Sequence, residues 1–270
     1  LHIEMRYFMK NLKNSPLNYS VQFFFNKEPL FENIILLGEL KKIFRNVNIL
    51  FSTNSMISFV LNDYSVNAEG FDIPIQILLI KESYNSNSKK ILESIEHYQL
   101  NDNLIDCIDE CKFLLVISDF MGTSIEYKER VTIFNKIIKT LIPILSCRTI
   151  YWSCSQKFIQ SIDFLDALEK ESVDSIFGII NVRHFIKEDE HIMDTLGLSS
   201  IGLPDLQCSF NKAEPGLIST ILYEYARKIF KHGDFLNDNE EISSMNLKFI
   251  CNHSYSTTKP KRIIIEFKEI

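Results

Sequence analysis

Apolar and polar positions follow two periods along this chain, and the switches between them divide it into strands and helices. Residues 1–17 form a polar lead-in closed by Pro16, after which residues 19–25 (YSVQFFF) have the β-branched and aromatic composition of a strand packed on at least one face. Leu36, Leu40, Ile43 and Phe44 recur at helical spacing and predict a helix over residues 31–44. Residues 56–61 and 73–80 predict two strands, and the turn formers between them, Gly70 among them, let the pair close as a hairpin. The polar run over 83–90 reads as an exposed loop, and Ile91, Leu92, Ile95, Leu104, Ile105 and Ile108 predict one or two helical segments after it. The apolar run FLLVIS at 113–118 has the length of an interior strand. The resulting order of strand, helix, strand, strand, helix, strand is that of a split βαβ, ferredoxin-like unit.

The loop DFMGTS at 119–124 leads into a long helix over 125–145, with Val131, Phe134, Ile138 and Leu141 on one face and Thr123 or Ser124 as its N-cap. A loop between a strand and a helix N-terminus can hold an anion. This one has a single glycine and no GKS or GKT, so it does not match a phosphate loop. Further strands are predicted over 149–152, 175–185, 206–210, 246–251 and 262–267, with a helix over 158–168. The strongest helical pattern spans 214–231, where Ile218, Ile221, Leu222, Tyr225 and Ile229 recur on one face and His232-Gly233 closes it. The second half thus repeats the strand-helix-strand rhythm of the first, with no residue-level repeat. The expected fold is α+β: two ferredoxin-like halves, residues 18–120 and 121–270, packed into one unit with mixed, mostly antiparallel sheets.

Composition adds limits. At 270 residues the chain can fold on its own core, and 46% hydrophobic with 24% charged residues excludes disorder as its main state. A net charge of −6 argues against nucleic-acid binding by phosphate neutralisation and suits a basic partner. No apolar run approaches the roughly 20 residues of a membrane span. The first residues, LHIEMRYFMK, carry charge inside their apolar run, unlike a secretory signal, so a cytoplasmic setting is expected. Six cysteines without a CxxC pair read as free, buried thiols in a reducing compartment. Cys107 and Cys111 are four apart, but no second close pair completes a tetrahedral set.

Candidate chemistry gathers in residues 181–210, where Arg183, His184, Asp194 and Asp205 accompany Gly197, Gly202 and Pro204. The structural reading is a buried crossover between strands. Asp194 caps a short helical turn, the two glycines take backbone angles closed to other residues, and Pro204 stiffens the approach to the next strand. The functional reading is a polar cleft of Arg183, Asp194 and Asp205, with Trp152 and Ser155 from a neighbouring strand. His184, His191 and Asp194 are close enough in sequence to share a divalent metal, although His191 lies in an acidic run (KEDEH) that reads as a solvated loop. GxSxG, HExxH, the dinucleotide glycine triplet and zinc-ribbon spacings are missing from the sequence. No catalytic residue, metal or cofactor is therefore assigned.

The segment DTLGLSSIGLPDLQCSF, with GIINVRHF before it and TIYWSCSQKF further upstream, resembles the bacterial family known as domain of unknown function 4261. That family shows D-T-x-G-L and then G-L-P-[DE]-L after an apolar strand ending in Arg, with an upstream Tyr-Trp segment. The likeness is specific over residues 149–210 and extends more loosely from Phe113 to the C-terminus. It implies a cytosolic bacterial protein and no particular activity. Ser153-Cys154-Ser155-Gln156 departs from the small, glycine-containing turn usual after Tyr-Trp. The expected function is that of a non-enzymatic interaction protein binding another protein, with toxin neutralisation (an immunity-type role) as its specific form. The alternative is a small-molecule binder or enzyme using a cleft near Arg183, Asp194 and Asp205. A third option is a scaffold or homodimer.

Overall fold

A computed structural model of the chain describes residues 19–30, 32–68, 70–84, 107–120, 122–169, 175–187 and 190–270. The lead-in expected over 1–17 and most of the loop and helices expected over 83–108 lie outside the described residues.

The first sheet is built from β1 (Ser20–Phe25), β2 (Val47–Ser52), β3 (Met56–Ala68), β4 (Phe71–Ser83), β5 (Phe113–Phe120), β6 (Thr149–Trp152) and β7 (Lys157–Gln160). Its order is β2-β3-β4-β5-β1-β6-β7. Every neighbouring pair is antiparallel. The pleat alternation explains its two faces. Val21 and Phe23 of β1 enter the main core with Leu115 and Ile117 of β5. Phe24, next along β1, points the other way and joins Leu114, Tyr151 and Phe158 in a second, smaller cluster.

Two helices cover the main face, α1 (Asn33–Ile43) and α2 (Tyr127–Leu145), and α2 buries Val131, Phe134, Ile138 and Leu141 as its periodicity predicts. Its N-cap is neither Thr123 nor Ser124, which belong to a 3-10 turn. Glu126 fills that role, accepting the N–H groups of Lys128 and Glu129 at 2.9 and 3.1 Å.

The second sheet follows α3 (Ser161–Glu169) and contains β8 (Asn181–Lys187), β9 (Glu190–Leu196), β10 (Asp205–Phe210), β11 (Glu240–Ser244), β12 (Leu247–Tyr255) and β13 (Ile263–Glu269). Its order is β11-β12-β13-β10-β9-β8. Among the described residues only β10 and β13 of this sheet pair in parallel, and α4 (Pro215–His232) lies in the connection between them. Ile218, Ile221, Leu222, Tyr225 and Ile229 of α4 are buried. Tyr225 meets Phe267 of β13 edge-on at 5.1 Å between ring centroids.

The protein is therefore α+β with two mostly antiparallel sheets, but the pairing does not reproduce split βαβ halves. The chain leaves β1 through α1 to the far edge of the first sheet and returns strand by strand, so β1 ends between β5 and β6. A boundary at 120/121 would also cut the first sheet, because β6 and β7 belong to it and α2 covers it. β2, β9 and β11 are strands without a predicted counterpart. The helix expected over 158–168 begins as β7, and the long strand expected over 175–185 begins as a turn.

One core runs through both sheets, from Phe23 and Ile138 to Leu206, Ile229 and Phe267. At the junction Trp152 is fully buried, with Tyr19, Phe134 and Phe164 around it at 5.7–6.2 Å. It presses on Gly178 so closely that a Cβ there would lie 2.3 Å from the indole.

Candidate functional site

The β8–β9 hairpin sets Arg183 directly opposite Asp194, and Gln207 of β10 opposes Asp194 in turn. β13 runs beside β10 with Asp205 next to Ile264. Side chains alternate along a strand, so Arg183, Asp194, Asp205, Gln207 and Arg262 share the sheet face away from α4. There Arg183, Asp194, Asp205 and Arg262 form one network, while Gln207 Nε2 donates to Thr257 Oγ1 at 2.8 Å. Arg183 donates Nε and Nη2 to the two Asp194 carboxylate oxygens at 2.9 and 2.7 Å. Arg262 joins the carboxylates, donating Nη2 to Asp194 at 2.6 Å and Nε to Asp205 at 3.1 Å. It also donates to the carbonyls of Thr195 and Pro260, at 2.8 and 2.9 Å. The Thr258 hydroxyl donates to Asp194 as well.

Asp205 caps the crossover turn Leu198–Ile201, a role the sequence pattern suggested for Asp194. It accepts the N–H groups of Gly197, Leu198 and Ser199 at 3.3, 3.0 and 3.3 Å and the Thr195 hydroxyl at 3.1 Å. Asp194 and Asp205 are both 0% exposed. A buried carboxylate is tolerable only with such partners, and two guanidiniums against two carboxylates leave the cluster neutral. With their oxygens so engaged, the network's evident work is to join β8, β9, β10, β13 and the 256–262 loop that covers them.

Arg262, Thr195 and Thr258 were not among the sequence candidates. The one local sign is a charged residue opening the apolar strand IIIEF. Nothing near it in sequence points to Asp194, 68 residues away.

The other candidates lie elsewhere. His184 follows Arg183 on the strand and so faces the opposite side, where its Nε2 meets Nδ1 of His191 at 2.9 Å. Phe210 lies near both rings, 6.2 Å from His184 and 5.5 Å from His191 between centroids. Burial first, and His191 second, hold His184 below the ordinary histidine value. Trp152 belongs to the first sheet. Ser155 donates to the Gly178 carbonyl at 2.8 Å, and its carbonyl accepts from Asn181 Nδ2 at 3.1 Å. Ser155 thus backs the crossover without touching the polar network. Gly197 has φ +134°, and a Cβ there would sit 1.7 Å from the Ile179 carbonyl oxygen. The left-handed Gly202, at φ +83°, faces open space, and Pro204 is buried just before β10.

Burial pushes the thiols of Cys111, Cys147, Cys154, Cys208 and Cys251 up to about 12, leaving them un-ionised. Arg130 of α2 makes a buried two-pronged pair with Asp119 at 2.6 and 2.8 Å and donates to the Ser200 carbonyl at 3.2 Å, tying the helix to the crossover. His253 sits between Asp234 and Asp238, at 3.1 and 2.8 Å, and is held above the ordinary histidine value by Asp234 first, against the opposing effect of burial. A surface depression lies between α2 and α3, lined by Thr132, Asn135, Lys136, Lys139, Leu168 and Ser175. No group of three or more metal-ligating side chains occurs among the described residues. No helix among them is long and apolar enough to cross a membrane. No family model, no curated protein and no solved structure matches this chain.

Proposed function

We propose that this chain is a non-enzymatic cytosolic protein that binds another protein, and that the surface it uses is the outer edge of β2 with the start of α1. The observation that carries this reading is a strip of exposed apolar side chains. Leu30 is 86% and Ile34 82% exposed, and Ile35, Leu50 and Phe51 are also open. Asn33 Nδ2 donates to Ser52 Oγ at 2.7 Å, which brings the start of α1 against the end of β2. Exposed apolar strips of this kind mark interaction surfaces.

β2 is an end strand of the seven-stranded sheet among the described residues. Asn62 N–H donates to Asn46 C=O, and Thr53 N–H to Met56 C=O. With the observed register, this turns the main-chain groups of Val47, Ile49 and Ser52 outward. VNILFS contains no charge or proline to blunt that edge, and a bulge near Leu50 is its one irregularity. The partner that fits is a protein offering an extended apolar segment, which would extend the sheet by one strand. The net charge of −6 favours a basic partner, and neutralisation of a basic toxin is the specific form we propose. The likeness of residues 149–210 to domain of unknown function 4261 belongs to the same proposal and agrees with a bacterial cytosolic setting.

The test is capture on the immobilised chain at low salt, comparing wild type with the Ile34→Glu, Phe51→Glu double variant. A partner retained by the wild type and lost by the folded variant supports the reading. Failure of the wild type to retain any protein, or equal retention by both chains, refutes it.

A further inference from the structure

We infer that His184 and His191 form a two-imidazole chelating site for a first-row divalent transition ion such as Zn²⁺. This site is independent of the β2 surface, since it lies on the other sheet.

The geometry comes from the hairpin register. His184 pairs with Met193 and Ile186 with His191, so the two histidines share a face and are offset by one diagonal step. Their ring planes lie within 22° of each other with centroids 5.1 Å apart, and Nε2 of His184 meets Nδ1 of His191 edge to edge at 2.9 Å. Two nitrogens bound to one tetrahedral Zn²⁺, each about 2.0–2.1 Å from the ion, stand about 3.3 Å apart. The two nitrogens point almost straight at each other, so to admit the ion the pair opens by a few tenths of an ångström and each ring tilts by roughly 35° to aim its lone pair at it. Phe210 lies 5.5 Å from His191 and 6.2 Å from His184, forming an apolar wall behind both rings. The described residues give each ring one hydrogen bond, to the other ring. Among the described residues no carboxylate or guanidinium has to be displaced.

In the metal-free pair one ring's N–H occupies the other ring's lone pair. Binding needs both lone pairs, so that proton passes through water to the second nitrogen of its own ring. Both imidazoles stay neutral and the ion keeps its charge. The described residues contribute two ligands: Asp194, the third candidate by sequence, is held on the opposite face by Arg183 and Arg262. Water or a ligand from another molecule completes the shell. Histidine suits Zn²⁺, Cu²⁺ and Ni²⁺ and excludes Mg²⁺ and Ca²⁺ as natural occupants.

The experiment is calorimetric titration of ZnCl₂ into the whole chain in chelator-free buffer, with MgCl₂ as control, on wild type, His184→Gln and His191→Gln. Long-range ¹H–¹⁵N spectra of the histidine rings are recorded alongside. One ion per wild-type chain is expected, with loss of that uptake in either variant. The ring nitrogens of His184 and His191 should shift together in the wild type while those of His253 do not. At saturation the wild-type melting midpoint should rise by about 2–4 °C. Absence of zinc uptake by the wild type, unchanged uptake in both variants, or shifts confined to other histidines would overturn the assignment. The ring spectra decide the matter even if a variant fails to fold.

Discussion

His253 is a residue through which pH acts on the fold. Its ring is 4% exposed and bridges Asp234 at the end of α4 to Asp238 in the loop before β11. Both carboxylates favour the charged imidazole, so the folded chain holds this proton to higher pH than the unfolded chain, where histidine titrates near about 6.5. The clamp's contribution is complete below that unfolded value and disappears as pH rises through the folded one. Asp234→Asn should therefore destabilise the protein by about 1–3 kcal/mol at pH 6 and by less at pH 9. Urea unfolding at the two pH values measures this, and an equal loss at both would show that the pair does not carry the dependence. Nothing in the sequence marks His253 for this role, because a lone histidine on a strand has no visible partner until the α4–β11 loop is placed over it.

At the scale of elements, glycine substitutions separate positions that look alike in sequence. Gly38 lies in the middle of α1 with nothing within 4 Å of the point an added methyl would occupy, whereas at Gly197 the same methyl would meet the Ile179 carbonyl at 1.7 Å with φ at +134°. Gly38→Ala should stabilise the fold by about 0.5–1 kcal/mol through helix propensity. Gly197→Ala should cost more than about 4 kcal/mol, because backbone strain and a collision with main chain cannot both relax. Thermal unfolding of the two variants checks the contrast. Elements with a long regular stripe, such as α2 and α4, were legible because the stripe is the buried face itself. β9 was not, because its acidic start, EHIMDTL, reads as a solvated loop until Arg183 and Arg262 are known to neutralise Asp194. β2 was missed for a related reason: an edge strand with exposed apolar residues lacks the alternation of a half-buried one.

For the whole molecule, the main core that runs through both sheets and the Arg130 link to the crossover predict one cooperative unfolding transition. Trp152, the one tryptophan, reports on the first sheet, whereas the Arg262 network lies in the second. Arg262→Leu leaves two buried carboxylates short of a cation and should cost about 3–5 kcal/mol. Tryptophan fluorescence and far-UV circular dichroism should then fall to the same lower midpoint. Separate midpoints would mean that the sheets unfold as independent units.

The sequence by itself determined the α+β class, the helices with a clear apolar stripe, most of the interior strands, and residues 181–210 as the place where charge and glycine concentrate. Those features are local, written in the period of the side chains and in the backbone needs of single residues. Tertiary structure alone decided the strand order, the grouping of Arg183, Asp194 and Asp205 with the distant Arg262, and the separation of His184 from them onto the opposite face with His191. The reason is physical: register and sheet order depend on which distant strands satisfy one another's hydrogen bonds and charges, and short-range periodicity carries no record of that choice.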